Sequence, residues 1–243
     1  MKIISVCGPP SAGKTAMVLR TAENWSNDDI RVGVAKFDCL FTDDDELYRK
    51  AGLHVRKALS GPLCPDHYFI SNIEEIFNWA EEKKLDLLIT ESAGLCNRCS
   101  PFLRGATAVC VIDNLSGIGT PRKIGPMLKT ADIVVITKGD IVSQAEREVF
   151  SAGVMEVNPK ANIFQINGLT GQGTHELGRF LLSEVKFLQT LDGQSLRFPM
   201  PAAICSYCLG ETRIGADYQI GNVKKLQPET TDSKTEKEET GLL

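Results

Sequence analysis

Gly8-Pro-Pro-Ser-Ala-Gly13-Lys14-Thr15, read as GPPSAGKT, stands between an apolar run, Lys2–Cys7, and a segment patterned as helix from Lys14 to Trp25. Strand, glycine-bearing turn and helix in that order are the context that G-x-x-x-x-G-K-[ST] requires. The backbone of Gly8, Pro9, Pro10, Ser11, Ala12 and Gly13, with the N-terminus of the following helix, forms an anion cradle. Lys14 is placed to reach the β- and γ-phosphates, and the Thr15 hydroxyl to ligate Mg²⁺.

Working outward, apolar β-rich runs alternate with helical patterns, the signature of βαβ units and a largely parallel sheet. Strands are expected over Lys2–Cys7, Arg31–Asp38, Leu85–Glu91, Ala106–Asp113, Ile133–Lys138 and Asn162–Asn167. Their near-continuous hydrophobicity implies helices on both faces. Helices are expected over Lys14–Trp25, Asp43–Ala51, Ile73–Lys83, Ile141–Phe150 and Thr174–Leu191; in the last, Leu177, Leu181, Val185 and Leu188 recur at core spacing. The fold class is α/β: a P-loop NTPase with a mostly parallel central sheet. Residues 1–191 form the nucleotide-binding domain, 192–226 a small cysteine-bearing C-terminal extension, and 227–243 a polar tail read as disordered.

Composition narrows the class of function. Hydrophobic content of 42% and charged content of 24% are ordinary for a soluble globular protein. A net charge of −4 gives no electrostatic reason to expect nucleic acid or an anionic membrane as partner. The apolar start is too short for a signal peptide, and no run approaches the ~18 residues of a membrane span, so the expectation is a cytoplasmic protein.

The strand end "VVITKGD" carries Thr137-Lys138-Gly139-Asp140. A carboxylate there can accept from both guanine N1–H and the exocyclic amine, a pattern adenine does not offer, while the lysine stem lies along the base. The same four residues also suit a charged strand-end turn, but their position downstream of the phosphate loop favours GTP/GDP. The loop Ile166–Gly173, with Asn167 and Gly168, can touch the base from its other side. Asp38 and Glu91 each close a strand, where a carboxylate can hold or orient Mg²⁺ or simply face solvent. Gly94 can offer its N–H to the γ-phosphate.

Eight cysteines against three histidines tilt any transition-metal site toward sulfur. In a cytosolic chain they argue for thiol and metal chemistry more than for disulfides. Cys96/Cys99 and Cys205/Cys208 form two C-x-x-C pairs. Each pair can be a redox dithiol, half of a metal site, or structural thiols. Together the four thiolates suit tetrahedral zinc or a [4Fe–4S] cluster, brought together by the fold or across a dimer axis. Cys7, Cys39 and Cys110 read as buried small hydrophobes, and His54 and His175 as surface residues.

The segments "GPPSAGKT", "VAKFDCLFTDDDELYRKAG", "GPLCPDHYFI", "LITESAG", "VIDNLSGIGTPRKIGP" and "ITKGD" resemble the nickel-insertion GTPases that serve urease and hydrogenase, most closely the urease accessory GTPase. The resemblance spans roughly Lys2 to Leu191. It implies a dimerising, slow GTPase whose nucleotide state gates metal handover to a client metalloenzyme or its maturation complex. It also implies Gly8, Gly13, Lys14 and Thr15 on phosphate, Asp38 and Glu91 near Mg²⁺, and Lys138 and Asp140 on guanine. The family's Cys-Pro-His metal segment corresponds here to Cys64-Pro65-Asp66-His67, with one residue inserted before the histidine. Cys64 and His67 are thus implied ligands of nickel or zinc. The pairs Cys96/Cys99 and Cys205/Cys208 are not part of the urease-type pattern.

These features together lead to a GTP-gated metallochaperone or metallocofactor-maturation switch, working as a homodimer. Two alternatives are a nucleotide-driven iron–sulfur redox activator and a small-molecule kinase on the same phosphate loop. No residue stands out as general base for the attacking water, in keeping with slow, partner-stimulated hydrolysis.

Overall fold

Successive residues of the central strands point to opposite faces, so each apolar strand must be covered twice. Ile3, Ala35, Phe37 and Leu88 face one layer, and Ile4, Val34, Val6 and Ile89 the other. The computed structural model describes residues 1–25, 28–94, 97, 99–199, 211–218 and 224–226. Seven parallel strands form one sheet in the order β3-β2-β4-β1-β5-β6-β7. They are β1 (Lys2–Cys7), β2 (Val32–Asp38), β3 (His54–Leu59), β4 (Leu87–Ser92), β5 (Thr107–Asp113), β6 (Ile133–Thr137) and β7 (Asn162–Gln165).

The helices are α1 (Lys14–Glu23), α2 (Asp44–Lys50), α3 (Pro65–Ser71), α4 (Ile73–Glu82), α5 (Thr120–Lys123), α6 (Pro126–Lys129), α7 (Gln144–Val157) and α8 (Thr174–Glu184). Helices α3 and α4 cover one face of the β2–β4 half through Phe69, Ile70, Ile73 and Ile76. Helices α1 and α8 cover the opposite face through Met17, Val18, Leu177 and Leu181. The α6–α7 pair packs Met127, Leu128, Phe150 and Val154 on Cys7, Ala108 and Val134.

Strand β1 is the hinge of the topology. Its neighbours are β4 on one side and β5 on the other, so connections leave it in opposite directions. In open α/β sheets such a switch point opens a crevice beyond the carboxyl ends of the strands, and that is where ligands bind. The phosphate loop and the ends of β2, β4 and β6 all meet there.

Several boundaries depart from the sequence expectation. Strand β3 and helix α3 were not anticipated. The helix expected from Ile141 begins at Gln144, behind a capping box in which Ser143 and Glu146 exchange hydrogen bonds, and runs on to Val157. The helix expected to reach Leu191 stops at Glu184, because Val185 turns extended at φ −67°, ψ 121°. Val185 and Leu188 are buried nonetheless, and the Leu188 N–H donates to Met1 O. His54 opens β3 as an exposed residue rather than sitting on a helix or loop.

Described residues beyond 191 pack on the body. Leu196 is fully buried, and the Arg197 guanidinium grips both Asp132 carboxylate oxygens at 2.7 and 2.6 Å. The same guanidinium donates to the carbonyls of Leu103, Ala106 and Thr130. Asn72 likewise donates to Lys224 O and accepts from Leu226 N. Among the described residues, no helix is long and apolar enough to cross a membrane.

Candidate functional site

The loop between β1 and α1 closes around its own lysine. Lys14 is nearly buried, and its Nζ donates to Gly8 O and Pro9 O at 2.9 Å each and to Ala93 O at 3.4 Å. Burial lowers its pKa, partly offset by the Glu91 carboxylate. The loop is wedged between neighbours. A Cβ on Gly8 would come 2.0 Å from Val111 O, and one on Gly94 would come 1.9 Å from Gly8 O. Sequence spacing thus translates into an anion-sized cradle whose far wall is the end of β4.

Beside the cradle lies a cleft of about 420 Å³ lined by Gly13, Lys14, Thr15, Lys36, Asp38, Asp44 and Glu91. Thr15 Oγ1 lies 3.0 Å from both Asp44 Oδ2 and Glu91 Oε1. Glu91 is fully buried; its second oxygen accepts a short hydrogen bond from Tyr48. Lys36 Nζ lies 2.7 Å from Glu91 Oε1, 2.6 Å from Asp44 Oδ2 and 3.9 Å from Asp38 Oδ2. Burial works against the Lys36 ammonium, but Glu91 and Asp44 outweigh it and raise its pKa. Burial likewise works against the Asp44 carboxylate, and Lys36 more than compensates, so its pKa is lowered.

A hydroxyl and three carboxylates make an oxygen-only donor set that fits a hard dication such as Mg²⁺. Thr15, Asp38, Asp44 and Glu91 are the residues that would hold it. A dication held there would supply positive charge beside the nucleotide phosphates. Of these residues the sequence had pointed to Thr15, Asp38 and Glu91. Asp44, Lys36 and Tyr48 were missed. A lysine inside the otherwise apolar strand VGVAKFD was the available signal for Lys36.

At the other end of the crevice, Thr137 Oγ1 donates to Ala12 O at 2.7 Å, tying β6 to the phosphate loop. Lys138, in the left-handed region at φ 57°, donates from Nζ to Ser11 O at 2.7 Å. Its stem therefore bridges the loop and the end of β6. Asp140 and Asn167 share a hollow of about 110 Å³ with Gly139, Arg147 and Gln172. Asn167 Oδ1 accepts from the N–H groups of Leu169 and Thr170, so this side chain shapes its own loop; Gly168 lies against Ala16.

A second cluster backs onto the same strand end. Cys64 caps the N-terminus of α3, with Pro65 as first helical residue. Helix α3 is buried along its whole length, which brings Cys64 and Asp66 to Cys99 from the loop after β4. Their ligand atoms all lie within 4.8 Å of one another. Hydrogen bonding from Cys99 outweighs burial and, with His67, holds the Cys64 thiol well below the ordinary range. Asp66 is fully buried, and desolvation pushes its pKa up to about 7, reinforced by Cys64. One Asp66 oxygen accepts from Ser92, whereas Oδ2 is buried and has no hydrogen-bond partner among the described residues. A buried acceptor without a donor is costly unless a cation or water meets it.

The segment Glu91–Gly94 therefore contributes to both clusters. Glu91 contacts Thr15, Ser92 donates to Asp66, the Ala93 carbonyl receives Lys14, and Gly94 abuts Gly8. Cys96, Cys205 and Cys208 lie outside the described residues. Cys7 and Cys110 are buried thiols whose pKa burial raises, as expected of core cysteines; Cys39 is half-buried.

A crevice that can hold phosphates at a β1–α1 loop, a hard cation beside it and a guanine at the far end is the working arrangement of a P-loop GTPase. Residues 2–165 match the family described as CobW/HypB/UreG, nucleotide-binding domain, and the chain belongs to that family and is a GTPase. An uncharacterized protein of Methanocaldococcus jannaschii is 47% identical over 226 residues, covering 93% of this chain and 96% of that protein. The urease accessory protein UreG of Trichodesmium erythraeum is 27% identical, over 79% of this chain and 96% of its own length. Among solved structures, HypB from Helicobacter pylori in complex with nickel superposes with a TM-score of 0.63 at 21% identity, covering 78% of this chain and 91% of that one. The hydrogenase maturation factor HypB of Archaeoglobus fulgidus gives 0.60 at 23% identity, covering 75% and 89%. At these identities the two structures establish the shared fold.

Proposed function

We propose that this GTPase is a nucleotide-gated metallochaperone: it carries one soft divalent metal ion on Cys64 and Cys99 and passes it to a client metalloenzyme or its maturation complex. The observation that carries this reading is the meeting of Cys64, Asp66 and Cys99 against the strand end that also touches the phosphate loop. A thiolate at Cys64, a second sulfur and a buried unpartnered oxygen favour nickel or zinc over a hard cation. His67, which hydrogen-bonds Cys64, is a further candidate ligand. The names of a UreG relative and of a nickel-bound HypB neighbour support the same cargo class.

Two sulfurs and a carboxylate oxygen at one spot form a mixed donor set suited to a single ion, and that reading is preferred to the redox activator. Cys96, Cys205 and Cys208 remain candidate ligands in the proposal. So do homodimerisation, a cytoplasmic location, and the division into a GTPase body to residue 191, an extension over 192–226 and a tail over 227–243.

The test is metal titration of anaerobically purified full-length protein. Wild type is expected to bind about one Ni²⁺ or Zn²⁺ per subunit, and Cys64→Ala or Cys99→Ala each to weaken it by ~100-fold or more while GTP hydrolysis persists. Unchanged affinity in both variants would sink the proposal.

A further inference from the structure

Lys36 is the side chain of the nucleotide cleft that the phosphate loop does not explain. It projects from a buried parallel strand, where a charged residue is unusual, and is 3% exposed. Its Nζ lies 2.6 Å from Asp44 Oδ2 and 2.7 Å from Glu91 Oε1. Thr15 Oγ1, the hydroxyl suited to a divalent cation, is 3.0 Å from those same two oxygen atoms. The other oxygen of Glu91 is engaged by Tyr48, so this carboxylate cannot rotate to serve an ammonium and a dication separately without breaking that bond. The third carboxylate, Asp38, stands 3.9 Å from the same Nζ.

We propose that Lys36 is a tethered counter-ion of the magnesium site: its ammonium competes with the dication for Asp44 and Glu91, so that Mg²⁺ is held only together with nucleotide phosphates. Three carboxylates at one spot would by themselves attract a free dication. One ammonium seated between two of them removes much of that attraction and places a positive charge within a few ångström of any ion ligated by Thr15. Nucleotide changes the balance. Its phosphates bring negative charge that satisfies the ion and the displaced ammonium together. For a protein that also handles a cargo metal, this keeps free dications out of the nucleotide cleft. The inference requires only the GTPase activity and stands apart from the identity of the cargo.

Mn²⁺, followed by the loss of its free-ion electron paramagnetic resonance signal, is the probe. In full-length, nucleotide-free protein carrying Cys64→Ala to remove the cargo site, Lys36→Met is expected to bind Mn²⁺ ~10-fold more tightly than its Lys36 parent. Lys36→Arg, which keeps the charge, is expected to bind no more tightly than the parent. Equal or weaker binding by Lys36→Met, or equal tightening by Lys36→Arg, overturns the proposal. Should Lys36→Met not fold, the wild-type ammonium reports instead. In ¹⁵N-lysine protein, the Lys36 resonance, assigned by its loss in Lys36→Arg, is expected to shift with Mg²⁺·GDP and to stay in place with Mg²⁺ alone. No shift with Mg²⁺·GDP overturns the proposal.

Discussion

Gly94→Ala is expected to reduce GTP turnover by ~100-fold, because displacement of a reacting group by even ~1 Å is that costly. The added methyl would lie 1.9 Å from the carbonyl oxygen of Gly8, on a backbone held at φ +63°. Gly8 cannot retreat, since its own Cα faces Val111 O, where a Cβ would come within 2.0 Å. The strain must therefore move either the first residue of the phosphate loop or the end of β4, and each move misplaces Lys14, whose ammonium bonds to Gly8 O and Ala93 O. Steady-state hydrolysis and fluorescent-GDP affinity measure the effect. Gly119→Ala is the control: at φ −84°, with nothing within 4 Å of its Cβ, it should behave as wild type. Near-normal turnover in Gly94→Ala would show that the strand end does not hold the loop.

The largest loss of stability is expected from Glu91→Gln. Glu91 is fully buried and takes hydrogen bonds from Thr15, Lys36 and Tyr48. Removing its charge strands Lys36 on the half-exposed Asp44 and the more distant Asp38, and breaking a buried pair in this way costs about 3 kcal/mol. For a chain of this size that corresponds to a fall of ~8 °C in melting temperature. Lys36→Met in the same background should recover part of the loss, because the stranded charge is removed with it. A melting temperature within ~2 °C of wild type for Glu91→Gln would contradict the buried network.

The phosphate loop, the guanine-type strand end and the parallel strands were legible because local chemistry dictates them. Glycines, a lysine at fixed spacing and continuous apolar runs are features of neighbouring residues. Strand β3 escaped because HVRKAL is an edge strand, carrying the charged residues that protect a sheet edge and hide the apolar pattern. Helix α3 escaped because it is only seven residues long and buried all round, which erases amphipathic periodicity; Pro65 after Cys64 was its one cue. The overrun of α8 has the opposite origin. Val185 and Leu188 are core residues on extended chain, so apolar spacing survived where the helix did not.

The candidate metal cluster lay further from reach. Family resemblance pointed to Cys64 and His67, and spacing pointed to Cys99 through its pair with Cys96. Nothing local joins Cys64 to Cys99: that contact exists because α3 packs beneath the end of β4. Asp66, the residue inserted before His67, turned out to carry the buried unpartnered oxygen of the cluster. Lys36 and Asp44 were likewise invisible as a pair, since one belongs to a strand and the other to the first turn of α2.

In the proposed mechanism Glu91–Gly94 serves a nucleotide on one side and a metal ion on the other. Competition titration of Ni²⁺ or Zn²⁺ against a chromophoric chelator, with full-length protein in Mg²⁺ plus a non-hydrolysable GTP analogue or Mg²⁺ plus GDP, tests it most directly. Affinities are expected to differ by ~10-fold between the two nucleotide states, a coupling of ordinary size for linked sites. The difference should shrink in Ser92→Ala, which removes the hydrogen bond to Asp66. Equal affinities in the two states, with metal and nucleotide both bound, would contradict it.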